Sequence, residues 1–116
     1  PEVSSMARPV RVTVGSAAAS NPIPLNNYST PFSVGIGVDV SAGATLTYTV
    51  EHTYDHVFAA SFVAASAVWY ANSGMTAQTG DKDGSYTAPV TAVRLNVTAW
   101  TSGTATMTVI QAGNGL

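Results

Sequence analysis

Apolar and polar residues alternate one by one in five segments of this chain. Val10-Arg11-Val12-Thr13-Val14 alternates and stops at Gly15. Phe32-Ser33-Val34-Gly35-Ile36-Gly37-Val38-Asp39-Val40 alternates over a longer stretch, with Ser, Gly and Asp as its polar side. Leu46-Thr47-Tyr48-Thr49-Val50, Ala92–Trp100 and Ala105-Thr106-Met107-Thr108-Val109-Ile110 repeat the pattern. Successive side chains of a strand point to opposite faces, so each segment predicts a strand with one face buried and one wet. Val, Ile, Thr, Tyr and Trp dominate these segments, the residue types that suit a pleated, half-buried surface.

The punctuation predicts hairpins. Ser41-Ala42-Gly43 and Thr101-Ser102-Gly103 each separate two alternating segments by three residues ending in Gly, as antiparallel hairpin loops do. Asp81-Lys82-Asp83-Gly84 reads as another turn ahead of Tyr86. Asn21-Pro22-Ile23-Pro24 is expected to be extended, because proline biases the residue before it away from the helical region. The only helix candidate is Val57–Tyr70, apolar all round, and its Val, Phe and Ser content suits two short buried strands better. The expected fold is all-β: an antiparallel β-sandwich, jelly-roll-like, in a single domain with extended terminal arms. Residues 1–8 read as an N-terminal extension, 9–111 as the sandwich and 112–116 as a C-terminal tail.

Composition narrows the function classes. The 116 residues make one domain, with room for one core and none for two lobes around a deep cleft. Charged residues are 9% of the chain, against about 25% in an average soluble domain. A surface of Ser, Thr, Asn, Gly and Ala fits a protein packed against others. The net charge is −2, and the basic residues form no stripe, so nucleic acid is not an expected partner. There is no cysteine, which excludes disulfides, thiol nucleophiles and cysteine-held metals. No apolar run approaches the roughly 18–20 residues of a membrane-spanning helix, so no membrane partner is expected. Pro1-Glu2-Val3-Ser4-Ser5 has neither the charged start nor the apolar core of a signal peptide, which sets synthesis in a cytoplasm as the expectation.

Candidate chemistry is sparse. His52 and His56 stand four apart in Glu51-His52-Thr53-Tyr54-Asp55-His56, a metal-binding spacing on a helix. Here the segment continues a strand and Thr53 stands where a zinc protease carries Glu, so a strand end with a turn capped by Asp55 is the plainer reading. The pair retains one functional option, an interface sensitive to mild acid. Asp81-Lys82-Asp83-Gly84-Ser85 resembles the start of a calcium loop, but no Glu follows to close it. Glu51 and Asp55 match a glycosidase carboxylate pair only as any two carboxylates would. No Gly-x-Ser-x-Gly is present, and no catalytic residue, metal or cofactor is expected. Asn27-Tyr28-Ser29 and Asn96-Val97-Thr98 match the glycosylation pattern, the second inside a predicted strand. Trp69, Tyr70, Met75 and Trp100 are core residues or an exposed contact patch. Arg94, a charge within an apolar alternation, is expected on the wet face or paired with Asp39 or Glu51 across strands.

Several stretches resemble a family of short virion proteins of tailed bacteriophages. They are Ile23–Gly35, Leu46–Asp55, Thr76-Ala77-Gln78-Thr79, Lys82-Asp83-Gly84-Ser85-Tyr86 and Val93-Arg94-Leu95-Asn96-Val97-Thr98. The resemblance runs from about Val10 to Gln111. It implies a capsid-associated structural protein, not an enzyme, with a jelly-roll-like fold and a decoration or cement role on the outer surface of the capsid. The partners it implies are the major capsid protein and further copies of the chain, as a dimer or trimer. It transfers no catalytic residue. The possible interface set is Trp69, Tyr70, Met75, Trp100, His52 and His56. Two other readings stay open: a carbohydrate-binding or host-attachment module that stacks sugars on Trp69, Tyr70 and Trp100, and a tail or connector component.

Overall fold

A computed structural model describes residues 10–25, 33–55, 63 and 66–112. Eight strands follow in order: β1 (Val10–Val14), β2 (Ile23–Pro24), β3 (Ser33–Val40), β4 (Thr45–Thr53), β5 (Trp69–Ala71), β6 (Lys82–Tyr86), β7 (Ala92–Ser102) and β8 (Ala105–Ala112). They form two four-stranded sheets, β1-β8-β3-β6 and β2-β7-β4-β5, with every pairing antiparallel. The pairs β4–β5, β3–β6, β2–β7 and β1–β8 are nested one inside the next. That is one long antiparallel ribbon rolled up so that successive pairs alternate between sheets, the jelly-roll form of the sandwich. The all-β sandwich expected from the alternation is the observed fold.

The alternation sets the inner faces. Val34, Ile36 and Val38 of β3 meet Met107 and Val109 of β8 across the sheet and are buried. Tyr48 and Val50 of β4 sit opposite Val97 and Leu95 of β7, also buried. The two inner faces make one apolar core. Tyr48 is fully buried and donates its hydroxyl to the Gly80 carbonyl at 2.6 Å, which satisfies its only polar group. Burial, with Asp81 nearby, pushes its pKa up to about 12. Met75 belongs to this core at 1% exposure, packed over Gly84, where an added Cβ would lie 2.9 Å from its sulfur. Met75 therefore leaves the expected interface set.

Two turn expectations are corrected. Gly43 and Gly103 do have positive φ, 75° and 92°. The loops that hold them are not hairpins, because β3 and β4 lie in different sheets, and so do β7 and β8. Each loop is a corner that carries the chain across the core. The two corners pack together: Ser41 N donates to Thr104 O at 2.9 Å, and Thr104 N donates to Ser41 Oγ at 3.0 Å. Alternation tells which face of a strand is buried, not whether its sequence neighbour lies beside it or across the core. Asp81–Gly84 is likewise not a turn. From Lys82 on it is the edge strand β6, with Asp83 opposite Gly37 and Gly84 opposite Ile36. Charged residues suit an edge strand because they discourage further pairing.

The prolines behave as expected. Ile23–Pro24 is a short edge strand on β7, and Leu25 N donates to Thr91 O at 2.9 Å beyond it. Of the apolar stretch Val57–Tyr70, the described end forms the start of β5, and Val68 and Tyr70 are exposed rather than buried. The expected arms, 1–8 and the residues after Ala112, lie outside the described residues, as does His56.

Candidate functional site

Among the described residues an exposed aromatic ledge lies at the end where β4 runs out beside β5. His52 sits opposite Tyr70 in the β4–β5 pair, so their side chains share a face. Tyr54 lies two residues beyond His52, on the same side by strand periodicity. Tyr86, from the edge strand of the other sheet, closes the group from below and is buried. The rings are in contact. His52 stacks on Tyr70 with centroids 6.0 Å apart and planes at 24°. Tyr54 meets Tyr70 edge-on at 5.6 Å, and His52 meets Tyr54 edge-on at 5.6 Å and Tyr86 at 5.1 Å. Such edge and offset contacts each contribute about 0.5–1.5 kcal/mol beyond area burial. Tyr54, Tyr70 and Val68 remain 57%, 50% and 55% exposed, which makes this an apolar surface on a pre-formed support.

The backbone under the ledge is pinned. Thr91 N donates to Thr53 O at 3.0 Å, and Thr91 Oγ1 lies 2.9 Å from Thr53 O and 2.6 Å from Asp55 O. Thr53 Oγ1 donates to Val68 O at 2.8 Å, and Asp55 Oδ2 accepts from Val68 N at 2.9 Å. Both sides of Tyr54 and the approach to β5 are thus fixed without any partner. Asp55 does not cap a local turn as expected from the sequence: its carboxylate ties the incoming strand, and the local bond is Asp55 N donating to Thr53 Oγ1 at 3.1 Å.

His52 Nδ1 and the Tyr86 hydroxyl are 2.8 Å apart. Burial lowers the His52 pKa from its usual value and pushes the Tyr86 hydroxyl up to about 12. A histidine with a lower pKa folded than unfolded takes up its proton more readily in the unfolded chain. Its contribution to stability is complete above the unfolded value near 6.5 and is lost as pH falls from there through the folded value. The urea midpoint is therefore expected to fall between pH 7 and pH 5, and His52→Gln should shrink that fall. Equal pH steps in the two proteins would contradict the assignment.

The other candidate residues lie elsewhere. Trp69 shares an element with Tyr70 but faces the outer side, opposite Thr53. There Arg94 lies over its ring, with Cζ 4.2 Å from the centroid. Arg94 Nε donates to Glu51 Oε1 at 2.7 Å and Asn96 Nδ2 to Glu51 Oε2 at 3.2 Å. Of the two carboxylates proposed for Arg94, Glu51 is the partner. Trp100 is opposite Leu46 at the far end of β4 and donates Nε1 to Gly103 O at 2.8 Å. From Leu46 to Thr53 the strand rises about 23 Å, so Trp69, Tyr70 and Trp100 form no common stacking platform. Among the described residues no three His, Cys, Asp or Glu side chains come together to hold a metal. The sequence reading missed Tyr54 and Tyr86. Tyr54 was legible from its spacing to His52, whereas Tyr86 reaches the group only through the packing of one sheet on the other.

Comparison with known proteins adds little. No family model matches the chain, and no curated protein matches it. One solved structure is similar: a chain of Bacillus endospore appendages, described as a novel family of disulfide-linked pili. The two share 17% identity over 91% of this chain and 85% of that one, with a TM-score of 0.47. At that level the likeness bears on neither activity nor assembly.

Proposed function

We propose that this chain is a structural protein of a tailed-phage particle, a decoration or cement protein that binds the outer surface of the assembled head. The observation that carries the reading is the aromatic ledge of Tyr54 and Tyr70, held rigid on a body with 9% charged residues. Aromatic side chains supply large contact area at low conformational cost and dominate the energetics of interfaces. A pre-formed ledge adds to that, because the described backbone on both sides of Tyr54 is already hydrogen-bonded before docking. The resemblance of Val10–Gln111 to phage virion proteins supplies the partner, the major capsid protein. A protein that binds only the assembled shell stabilises that shell by mass action, and repeated copies multiply the effect.

Co-sedimentation tests the reading. Purified chain should saturate heads that lack it and leave unassembled capsid subunits unbound. The double variant Tyr54→Ser, Tyr70→Ser should bind about a hundredfold more weakly, the scale of losing an aromatic anchor pair. Its urea midpoint should fall by the loss of the ring contacts that Tyr54 and Tyr70 make with each other and with His52, while the buried core keeps the variant folded. Unchanged binding by a folded double variant would remove the ledge from the contact. Failure of the wild-type chain to bind heads would remove the function.

A further inference from the structure

We propose that the outer face of the β1-β8-β3-β6 sheet binds a second copy of this chain, face to face, about a two-fold axis running parallel to the strands between β8 and β3. This stands on the sheet alone and does not rest on the virion reading. The middle of the face is made of small residues: Ser33, Gly35 and Gly37 on β3, Thr106 and Thr108 on β8, and Ser85 on β6. In its midst Ile110 is 46% exposed.

The two glycines point to an occupant. Neither has positive φ, so backbone conformation does not require them. At Gly37 an added Cβ would meet nothing within 4 Å, and at Gly35 only the Ile110 carbonyl at 4.0 Å, so packing within the molecule does not require them either. Glycine inside a strand weakens it and marks places where another backbone or a ligand comes close.

The register makes the face complementary to itself. One row across the sheet reads Arg11, Thr108, Gly37, Asp83. The next places Ile110 beside Gly35, and a third runs Thr13, Thr106, Asp39. A two-fold axis between β8 and β3 sets β8 over the partner copy's β3 and β1 over its β6. Ile110 then enters the space above Gly35 of the other copy, and Thr108 the space above Gly37. Arg11 meets Asp83, and Thr106 meets Asp39, and each contact occurs twice, as an isologous interface demands. Among the described residues neither Arg11 nor Asp83 makes an ion pair within its own chain. Two strands of eight residues flanked by two of five cover roughly 400 Å² per copy. The total of roughly 800 Å² is smaller than a standard stable interface and fits a weak dimer in the micromolar range.

Sedimentation velocity on the full chain at roughly 50 μM reads this out, the concentration following from the micromolar expectation. The wild type should run as a dimer of the 11.8 kDa chain. Arg11→Asp sets Asp against Asp83 twice, and Asp83→Arg sets Arg against Arg11 twice, so each variant alone should bind itself about a hundredfold more weakly and run mainly as a monomer. Mixed in equal amounts, the two carry opposite charges at both contacts and should form a dimer again. Gly35→Val should loosen the dimer about a hundredfold by filling the seat of Ile110, while holding or raising the urea midpoint of the monomer. If that variant does not fold, the charge-reversal mixture still decides. A monomeric wild type, a trimer, a dimer indifferent to Gly35→Val, or a mixture that stays monomeric would each overturn the proposal. So would a monomer whose β8 amides gain protection only on heads, which would assign this face to the shell.

Discussion

Gly103→Ala should cost about 3 kcal/mol or more, a large part of the 5–15 kcal/mol that holds a domain of this kind together, and Gly43→Ala only about 1. Both glycines have positive φ, so both substitutions meet the same backbone penalty. What differs is the space. An added Cβ at Gly43 meets nothing within 4 Å. At Gly103 it would lie 2.2 Å from Ala44 Cβ, 2.7 Å from Ala44 Cα and 2.9 Å from Ser41 Oγ. A backbone atom cannot yield as the tip of a long side chain can. Relief requires the Gly103 corner to lift off the Ser41–Ala44 corner, which breaks the two hydrogen bonds between Ser41 and Thr104. Urea unfolding of the two variants reads the difference as a shift in midpoint at constant slope. Equal midpoints would mean that the corners do not pack as described.

Met75→Ala is expected to destabilise by about 2–5 kcal/mol, the range for truncating a fully buried large side chain, and to leave binding to any partner unchanged. The site has an unusual second handle. Gly84 lies beneath Met75, and a Cβ there would come 2.9 Å from the sulfur. In the Met75→Ala background that methyl enters the cavity. The double variant Met75→Ala, Gly84→Ala should therefore be more stable than the sum of its single effects, a coupling expected only for residues in contact. An additive pair would place Met75 elsewhere, as would a Met75→Ala variant that melts like wild type but loses affinity for heads.

Much of the fold was legible because one physical signal dominates it. Val34, Ile36 and Val38 on β3 and Val93, Leu95 and Val97 on β7 are buried as the pattern says, because a one-residue slip would turn each set to solvent, whereas past Val97 a register shift against β4 ends the alternation and Ala99 is exposed. The connectivity was not legible. The Gly43 and Gly103 loops have the length and residues of hairpin turns, and the same chemistry serves a corner between sheets. Asp81–Gly84 has the composition of a turn and is an edge strand, because its partner Gly37 is some forty-five residues away and no local pattern records it. The site divides in the same way. His52, Tyr54 and Tyr70 belong to neighbouring segments, and their chemistry is visible in sequence. Met75 was ambiguous because an apolar side chain in a polar loop suits both core and interface. Only the seating of that loop along β4, with Val50 N donating to Met75 O at 3.0 Å, decides for the core.

The most direct test of the decoration role is a cryo-EM reconstruction of purified heads, with mass spectrometry of the same particles. The eight-stranded body should lie outside the shell at many symmetry-equivalent positions, its Tyr54–Tyr70 end against the capsid subunits. A few copies on the tail, no copies on the particle, or a body bound with that end facing solvent would contradict it.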